Sequence, residues 1–378
     1  MRIRLSRASI LILVASAAWS TLSQQSSQTG APLSDRDKAG LRGPVKTVIE
    51  EFTASYANGP QVTTTTTEYA RDGRILEERT ANSDGPGWLT SYTYHSDGRL
   101  LKTVTGSQGS ADHFETSYLY DEEKRLIGVK GGDKIQTRYQ YDDTGRKSAI
   151  KNHDSKPDEA FAPPWEGTEL GFAPSPGGKV TTVYNEQGVA TGAQFYDAEG
   201  NLVGHIVRKF DKEGRVIAEE QAADAPQVKT LPEDLRSKLN PEQIKSVGAL
   251  LAGSQKRAIS YSYDAQGRET ERHRSGGGGG GWGEQVTVTT YNDQGDKASE
   301  RQTTVMSADT GPWGLTEAGA FIPQGKPNPP QPPQTYETQY TYQYDQYGNW
   351  TEQTIVARFQ PDEAFRPGPV TRRKLTYY

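Results

Sequence analysis

Polar and apolar residues alternate with a period of two along most of the chain. The clearest examples are Thr-Ser-Tyr-Thr-Tyr at 90–94, Thr-Arg-Tyr-Gln-Tyr at 137–141 and Ser-Tyr-Ser-Tyr at 260–263. Alternation with β-branched and aromatic residues is typical of a half-buried strand, and it places Tyr92 and Tyr94 on one face. The pattern therefore predicts many short antiparallel strands.

These strands end in a recurring phrase: an aromatic residue, an acidic or polar residue, two variable residues, a glycine and usually an arginine. A repeated phrase specifies architecture more strongly than any single motif. Its Asp-x-x-Gly part suits a type I turn whose last position tolerates positive φ, so each copy predicts a β-hairpin. We expect packing roles here, with the arginine stacking on a neighbouring tyrosine or pairing with the turn aspartate. The copies centre on Tyr69, Tyr94, Tyr120, Tyr141, Tyr184, Tyr196, Phe210, Tyr263, Tyr291 and Tyr344, and the clearest carry Gly145-Arg146 and Gly267-Arg268.

One hairpin cannot bury its own apolar face. Successive hairpins must therefore pair edge to edge into one continuous sheet. Tyrosine suits the buried face of such a sheet, since its ring packs while its hydroxyl reaches a polar partner. The predicted fold is all-β: antiparallel β-hairpin repeats that form a curved, spiralling sheet.

At this point the chain resembles the YD-repeat (Rhs-repeat) family, which occurs in bacterial Rhs and insecticidal toxin shells and in animal teneurins. The resemblance rests on Tyr-Asp-x-x-Gly-Arg at Tyr141 and Tyr263, with looser copies at Tyr94, Tyr196, Phe210 and Tyr344. It implies a large antiparallel sheet that spirals into a tube or shell. No aspartate-proline-rich core or toxin segment of those shells is visible. The expectation is therefore a small exported member with an open or partly closed solenoid.

The sequence divides into a signal peptide at 1–23, a flexible linker at 24–40 and a repeat domain at 41–378. Arg2, Arg4 and Arg7 precede the apolar run of the signal, which is too short to span a membrane comfortably. Within the repeat domain, 222–257 carries the only helical signal, because prolines and acids mark two helix starts there. The four insertions are 152–180, 222–257, a glycine-rich stretch at 275–283 and a proline-rich stretch at 307–335.

Two insertions share a pattern. Pro164-Trp165-x-x-Thr168-Glu169-x-Gly171-Phe172 is echoed by Pro312-Trp313-x-x-Thr316-Glu317-x-Gly319-x-Phe321. One interpretation is a pair of exposed loops on one rim that bind a polysaccharide, with Trp165, Phe172, Trp313 and Phe321 stacking on sugar rings. The other is structural: the tryptophans cap open ends of the sheet, and Pro-Asp-Glu-Ala-Phe, which occurs at 157–161 and 361–365, plugs the lumen.

Composition and charge reduce the number of function classes that fit the chain. The chain has 378 residues, no cysteine and a formal net charge of -5, which becomes -8 when the three signal arginines are removed. An acidic chain is a poor match for nucleic acid, and the missing cysteines exclude disulfides and thiolate metal sites. Five scattered histidines show no metal-ligand spacing, and no catalytic motif is present, so we expect no catalytic residues, metal or cofactor. A transmembrane barrel is disfavoured because charged residues interrupt both faces of the strands.

The sequence thus predicts an exported, non-catalytic binding or scaffold module, located in the periplasm, at the cell surface or outside the cell. The leading ligand is a surface polysaccharide. Two alternatives stay open. One is a degenerate shell fragment that encloses a protein partner or effector. The other is a carbohydrate-active hydrolase, which converging carboxylates in a cleft would favour.

Overall fold

The protein was analysed as a computed structural model. It describes residues 33–56, 59–83, 85–132, 134–152, 165, 168–170, 178–223, 256–276, 283–305, 313–315, 321–323 and 332–378. The predicted signal peptide, almost all of the predicted helical insertion and Pro-Asp-Glu-Ala-Phe at 157–161 lie outside these residues.

The described residues are almost entirely β-strand, with one short helix, α1 (Asp35–Lys38), at the end of the predicted linker. In the first half of the chain the strands are β1 (Val45–Tyr56), β2 (Gly59–Tyr69), β3 (Ile75–Asn82), β4 (Gly85–Tyr94), β5 (Leu100–Ser107), β6 (His113–Tyr120), β7 (Leu126–Gly131), β8 (Lys134–Tyr141), β9 (Lys147–Asn152), β10 (Lys179–Tyr184) and β11 (Ala190–Tyr196). In the second half they are β12 (Leu202–Phe210), β13 (Val216–Ala223), β14 (Arg257–Tyr263), β15 (Glu269–Gly276), β16 (Glu284–Tyr291), β17 (Lys297–Val305), β18 (Trp313–Leu315), β19 (Phe321–Pro323), β20 (Gln334–Tyr344), β21 (Trp350–Arg358) and β22 (Arg366–Tyr377).

Twenty of these strands form one closed antiparallel barrel. Each strand pairs with the next one along the chain, β17 pairs with β20, and the last strand, β22, pairs with β1. The closing register places Glu50 opposite Arg373 and Val48 opposite Leu375. The predicted open or partly closed solenoid is therefore wrong. Closure pairs the two edges that an open sheet would expose to other chains.

The two faces of the barrel wall differ in accessibility. One face carries the repeat tyrosines other than Tyr196 and most of the buried side chains, among them Val180, Phe195 and Ile206, whereas the other carries exposed charged residues. We assign the tyrosine face to the inside, because side chains converge on the concave face of a barrel. Trp165 and Leu170 also pack on this face and extend its main apolar cluster across β10–β14.

The ends of the barrel are equally distinct. Nine repeat turns, from the β2–β3 turn to the β20–β21 turn, lie on one rim together with α1 and the two ends of the closing strands. We call this the turn rim. Every predicted insertion leaves from the opposite rim, which we call the insertion rim. Each insertion follows a strand that runs away from a repeat turn, so its connection to the next strand is made at the far end of the barrel. The turn after Tyr196 is the exception among the predicted copies, since it lies on the insertion rim.

The repeat turn at Tyr141 shows the local basis of the phrase. Asp142 accepts hydrogen bonds from the backbone of Thr144 and Arg146 at 3.0 and 2.9 Å, and its other oxygen binds the Arg146 guanidinium at 2.8 Å. Gly145 has φ +79°, a conformation that is strained for residues with a side chain. Lys124 adopts φ +67° at the matching position of another copy. The aspartate and glycine therefore fix the turn, and the aspartate aims the arginine.

That arginine joins each hairpin to the next. Its guanidinium lies over the ring of the next repeat tyrosine, with the Cζ atom 4.5–4.9 Å from the ring centroid in six pairs. The same tyrosine hydroxyl donates a hydrogen bond of 2.7–2.8 Å to a backbone carbonyl of the preceding hairpin. We call this arrangement the tyrosine clasp. The pairs are Arg74–Tyr94, Arg99–Tyr120, Arg125–Tyr141, Arg146–Tyr184, Arg215–Tyr263 and Arg268–Tyr291.

The clasp changes where the repeat phrase changes. Val189 stands where the β10–β11 turn would carry arginine. The next repeat aromatic residue on the turn rim is Phe210, which has no hydroxyl. Asp296 replaces the arginine of the β16–β17 turn and accepts a hydrogen bond of 2.8 Å from the hydroxyl of Tyr344. Both partners of the clasp are thus replaced at Val189 and Phe210, whereas at the β16–β17 turn only the arginine is replaced and Tyr344 keeps its hydroxyl.

The segment before β1 covers the seam between β22 and β1 on the turn rim. Asp35 accepts a hydrogen bond from the Ile75 backbone at 3.1 Å. Arg42 donates to the carbonyls of Gln294 at 2.9 Å and Gly348 at 3.1 Å, which places its guanidinium between the turns left without a repeat arginine. Arg71 lies over the Tyr378 ring at 4.7 Å, and the Tyr378 hydroxyl bonds the Tyr69 carbonyl. Residues from both ends of the domain therefore complete the ring.

We predict that Tyr120→Phe lowers the free energy of unfolding by about 1 kcal/mol, because it removes the hydrogen bond to the Leu100 carbonyl and keeps the ring. Tyr92→Phe is the matched control, since the Tyr92 hydroxyl has no hydrogen-bond partner among the described residues. Urea unfolding of both variants measures the difference. Equal stabilities would show that the clasp hydrogen bond contributes nothing.

Candidate functional site

The predicted binding residue Trp165 is buried in the inner wall and is not available as an exposed platform. Its side chain is 3% exposed, its Nε1 donates to Thr182 at 3.3 Å, and the Arg208 guanidinium lies 3.8 Å from its ring centroid. Trp313 lies in β18 and Phe321 in β19, which form a separate two-stranded pair. Phe172 lies outside the described residues.

Beside Trp165, the inner wall contains a buried carboxylate. Glu219 is 0% exposed and accepts hydrogen bonds from Arg208 at 2.7 Å, Thr168 at 2.9 Å and Tyr261 at 3.0 Å. Burial and the neighbouring Glu219 raise the pKa of the Tyr261 hydroxyl. Because each Glu219 oxygen has a donor, this network holds the 168–170 segment against the wall and leaves no carboxylate oxygen open to a ligand.

Glu169, in the same segment, bridges two arginines of β15. It contacts the guanidinium of Arg272 at 2.5 Å and also that of Arg274. Arg272 has a second carboxylate partner, Glu269, at 2.8 Å. The guanidiniums are oriented on the inner face because Arg272 and Arg274 occupy alternate positions of one strand.

A second row of tyrosines lies on the inner face, farther from the turn rim than the tyrosines of the clasp. Tyr92 and Tyr118 each stand two residues before a repeat tyrosine, so they share its inner face but lie deeper in the barrel. Both are half-buried, and neither hydroxyl has a hydrogen-bond partner in the part of the chain that the structure describes. Burial, with Glu78 and Tyr118 nearby, raises the pKa of Tyr92. The members of this inner tyrosine tier are Tyr92, Tyr118, Tyr139, Tyr261 and Tyr342.

Polar groups surround Tyr92 and Tyr118. The hydroxyls of Thr90 and Thr105 are hydrogen-bonded to each other at 3.0 Å on the same face. Glu78, directly opposite Thr90 on β3, has no ion-pair or hydrogen-bond partner among the described residues. Its pKa is raised, first by burial and then by the charge of Glu50. This part of the wall thus combines aromatic rings and threonine hydroxyls with a carboxylate that has no partner in the part of the chain that the structure describes.

A second aromatic group lies on β20–β22. Tyr342 contacts Tyr344 and Trp350, with ring centroids 5.9 and 6.3 Å apart, and the Arg373 guanidinium covers Trp350 at 3.4 Å. Here the aromatic faces contact one another, and Gln353 donates to the Tyr342 hydroxyl at 3.1 Å. This group is therefore better explained as wall packing than as a free surface.

The second Pro-Asp-Glu-Ala-Phe does not plug the lumen. Residues 361–365 form the turn between β21 and β22 on the insertion rim, where Arg358 donates to the Pro361 carbonyl at 2.7 Å and lies over the Phe365 ring at 4.6 Å. Arg358 also binds Glu337 at 2.6 Å. The motif's contacts are thus with the wall beside it.

Two further features concern metal binding and membrane-spanning helices. Within the described ranges, no group of three or more histidine and carboxylate side chains is placed to hold a metal ion. Nor does any described helix have the length and apolar character needed to cross a bilayer.

No protein-family model matches the chain, and no curated protein matches it. Among solved structures, a porin-like protein from Bacteroides uniformis ATCC 8492 is similar at 10% identity and a TM-score of 0.30, covering 89% of this chain and 98% of that one. TcdB2-TccC3 is similar at 11% identity and a TM-score of 0.24, covering 85% of this chain and 19% of that one. A putative outer membrane lipoprotein-sorting protein domain from Vibrio parahaemolyticus gives 9% identity and a TM-score of 0.13, with 87% and 83% covered. Similarities this weak establish neither a common fold nor a common function.

We predict that Glu219→Gln destabilises the protein by about 3–5 kcal/mol, because it removes the buried carboxylate that pairs with the Arg208 guanidinium at 2.7 Å. The neighbouring Glu220→Gln is the control. Glu220 pairs with Lys209 on the exposed outer face, where an ion pair contributes about 0–1 kcal/mol. Thermal and urea unfolding compare the variants, and similar losses at the two positions would contradict the network's role.

Proposed function

We propose that this protein is an exported, non-catalytic binding module that holds a polysaccharide chain against the inner wall of its barrel. The observation that carries the proposal is the pair Tyr92 and Tyr118, whose rings share the inner face with Glu78 while all three polar groups lack partners among the described residues. Groups left half-buried and unpaired detract from stability, so a ligand that supplies hydrogen bonds would account for them.

The spacing of the two tyrosines suits an extended polymer of rings. Tyr92 on β4 and Tyr118 on β6 are two strands apart, which corresponds to about 10 Å. The strand between them presents Thr103 and Thr105 on the same face. Sugar rings have apolar faces that pack on aromatic side chains, and their hydroxyls bond with threonine, tyrosine and carboxylate oxygens. A polysaccharide lying across β3–β6 would use both kinds of contact.

The proposed binding surface replaces the one expected from the paired tryptophan insertions. Trp165 is covered by Arg208 and is part of the wall. The inner tyrosine tier offers aromatic rings on strands, and sites on strands are positioned more rigidly than sites on loops. The ligand class stays the same, while the residues that contact it change.

Export and an aqueous setting are supported by two features. Residues 1–23 have the charged start and apolar run of a secretory signal. The outer face carries ion pairs within its strands, which would be costly against lipid. These pairs are Lys102–Glu115 at 3.0 Å, Lys209–Glu220 at 2.5 Å and Arg372–Glu352 at 2.8 Å. We place the protein in the envelope or outside the cell, in contact with water.

We predict that replacing Tyr92 and Tyr118 together with alanine reduces polysaccharide binding at least about tenfold, since each ring contributes packing that alanine lacks. The measurement is co-sedimentation of the mature chain with isolated cell walls and a panel of insoluble polysaccharides. The double variant with phenylalanine at both positions separates the contribution of the rings from that of the hydroxyls.

Val183→Ala combined with Val207→Ala is the matched control, because both valines are exposed on the outer face. It should bind like the parent protein. Retention of a polymer that survives the loss of both tyrosines, in a variant with unchanged circular dichroism, would contradict the proposed surface. Binding to no polymer at all would favour a protein ligand instead.

A further inference from the structure

Arg272 and Arg274 form a pair of guanidiniums on the inner face of β15. The two side chains are 15% and 25% exposed, and the Nε atom of each is buried without a hydrogen-bond partner in the described part of the chain. Positions two residues apart on one strand lie about 7 Å apart. Two arginines at this separation can hold one carboxylate between them.

In this structure the carboxylate between them belongs to the chain itself. One oxygen of Glu169 binds Arg272 at 2.5 Å and the other binds Arg274. The Glu169 side chain is 36% exposed, so solvent reaches the ion pair. Its neighbours are held separately: Thr168 bonds Glu219 at 2.9 Å, and Leu170 is 4% exposed in the apolar cluster. The Glu169 side chain can therefore rotate away while the anchors on both sides stay in place.

The two arginines differ in the partners that they contact besides Glu169. Arg272 also pairs with Glu269 at 2.8 Å. Arg274 donates to the neutral amide of Gln285 at 3.0 Å and pairs with no other carboxylate among the described residues. Without Glu169, Arg274 would be a partly buried cation that lacks an anion, and such a group strongly favours an incoming carboxylate.

We propose that Arg272 and Arg274 are a binding site for the carboxylate of an acidic sugar, and that Glu169 occupies the site until such a ligand replaces it. The inference rests on the proposed polysaccharide function and specifies its class: a polymer that contains uronic acids. Arginine suits this task because its planar guanidinium matches carboxylate geometry and keeps its charge at every physiological pH. The internal carboxylate also stops the pair from binding small anions indiscriminately, since any ligand must compete with Glu169.

The test uses two polymers with the same backbone, polygalacturonate and its fully methyl-esterified form, which lacks the charged carboxylates. Glu169→Gln removes the internal competitor and is expected to bind polygalacturonate about tenfold more tightly than the parent, a factor typical of one charge-assisted hydrogen bond. Its affinity for the methyl ester should stay within twofold of the parent. Adding Arg274→Gln to Glu169→Gln should abolish the gain.

Glu352→Gln is the control for a lost carboxylate, because Glu352 pairs with Arg372 on the outer face at 2.8 Å. It should leave the affinity for both polymers unchanged. If Glu169→Gln does not fold, Glu169→Asp keeps the charge but shortens the reach, and a smaller gain for polygalacturonate is expected. Unchanged affinity of the folded Glu169 variants for polygalacturonate overturns the inference.

The tyrosine variants separate this outcome from failure of the proposed function. If Tyr92→Ala with Tyr118→Ala weakens binding of both polymers while Glu169→Gln alters neither, the polysaccharide function stands and the acidic-sugar site fails. If Glu169→Gln increases binding of polygalacturonate while the tyrosine variant binds both polymers like the parent, the arginine site stands and the tyrosine surface fails.

Discussion

The barrel depends on the tyrosine clasp, in which the arginine of one hairpin covers the tyrosine ring of the next and the tyrosine hydroxyl bonds back to the preceding hairpin. The wall is one layer thick, and extensive contacts among the described strands are confined to neighbours in the ring. Among the described residues, no central core fixes the angle between hairpins. The clasp supplies that constraint, because it needs the Arg146 guanidinium and the Tyr184 ring at one separation and one orientation.

The inner surface of the closed barrel carries two groups of tyrosines, which differ in the partners of their hydroxyls. Along the turn rim, the six repeat tyrosines of the clasp have their hydroxyls bonded to backbone carbonyls, so they are structural. Deeper in the barrel, the same period of two places Tyr92 and Tyr118, whose hydroxyls have no hydrogen-bond partner among the described residues. Glu78 lies on the same face, also without a partner in the described ranges, and burial raises its pKa. The proposed function follows from this contrast between satisfied and unsatisfied groups on one face.

The strands and turns could be predicted from the sequence because they depend on local patterns: alternation before Tyr141, the capping aspartate and the glycine at positive φ. Closure could not, since it depends on β1 pairing with β22 across more than three hundred residues and on Arg42, which belongs to none of the repeat copies. The sequence allowed two interpretations of Trp165, because tryptophan suits both an exposed binding platform and a buried anchor. The inner tyrosine tier had a visible signal, a tyrosine two residues before the repeat tyrosine, but sequence alone did not separate its hydroxyls from those of the clasp.

Closure of the ring is the claim on which the inner surface depends, and cross-linking across the seam tests it most directly. The natural chain has no cysteine, so Glu51→Cys with Arg372→Cys introduces only two thiols, at positions directly opposite each other on β1 and β22. The closed barrel predicts rapid intramolecular cross-linking of the monomer by a short thiol-specific reagent, and none when Glu51→Cys is combined with Glu220→Cys on β13. Absence of the intramolecular product in the folded Glu51–Arg372 variant would contradict closure and, with it, the enclosed binding surface.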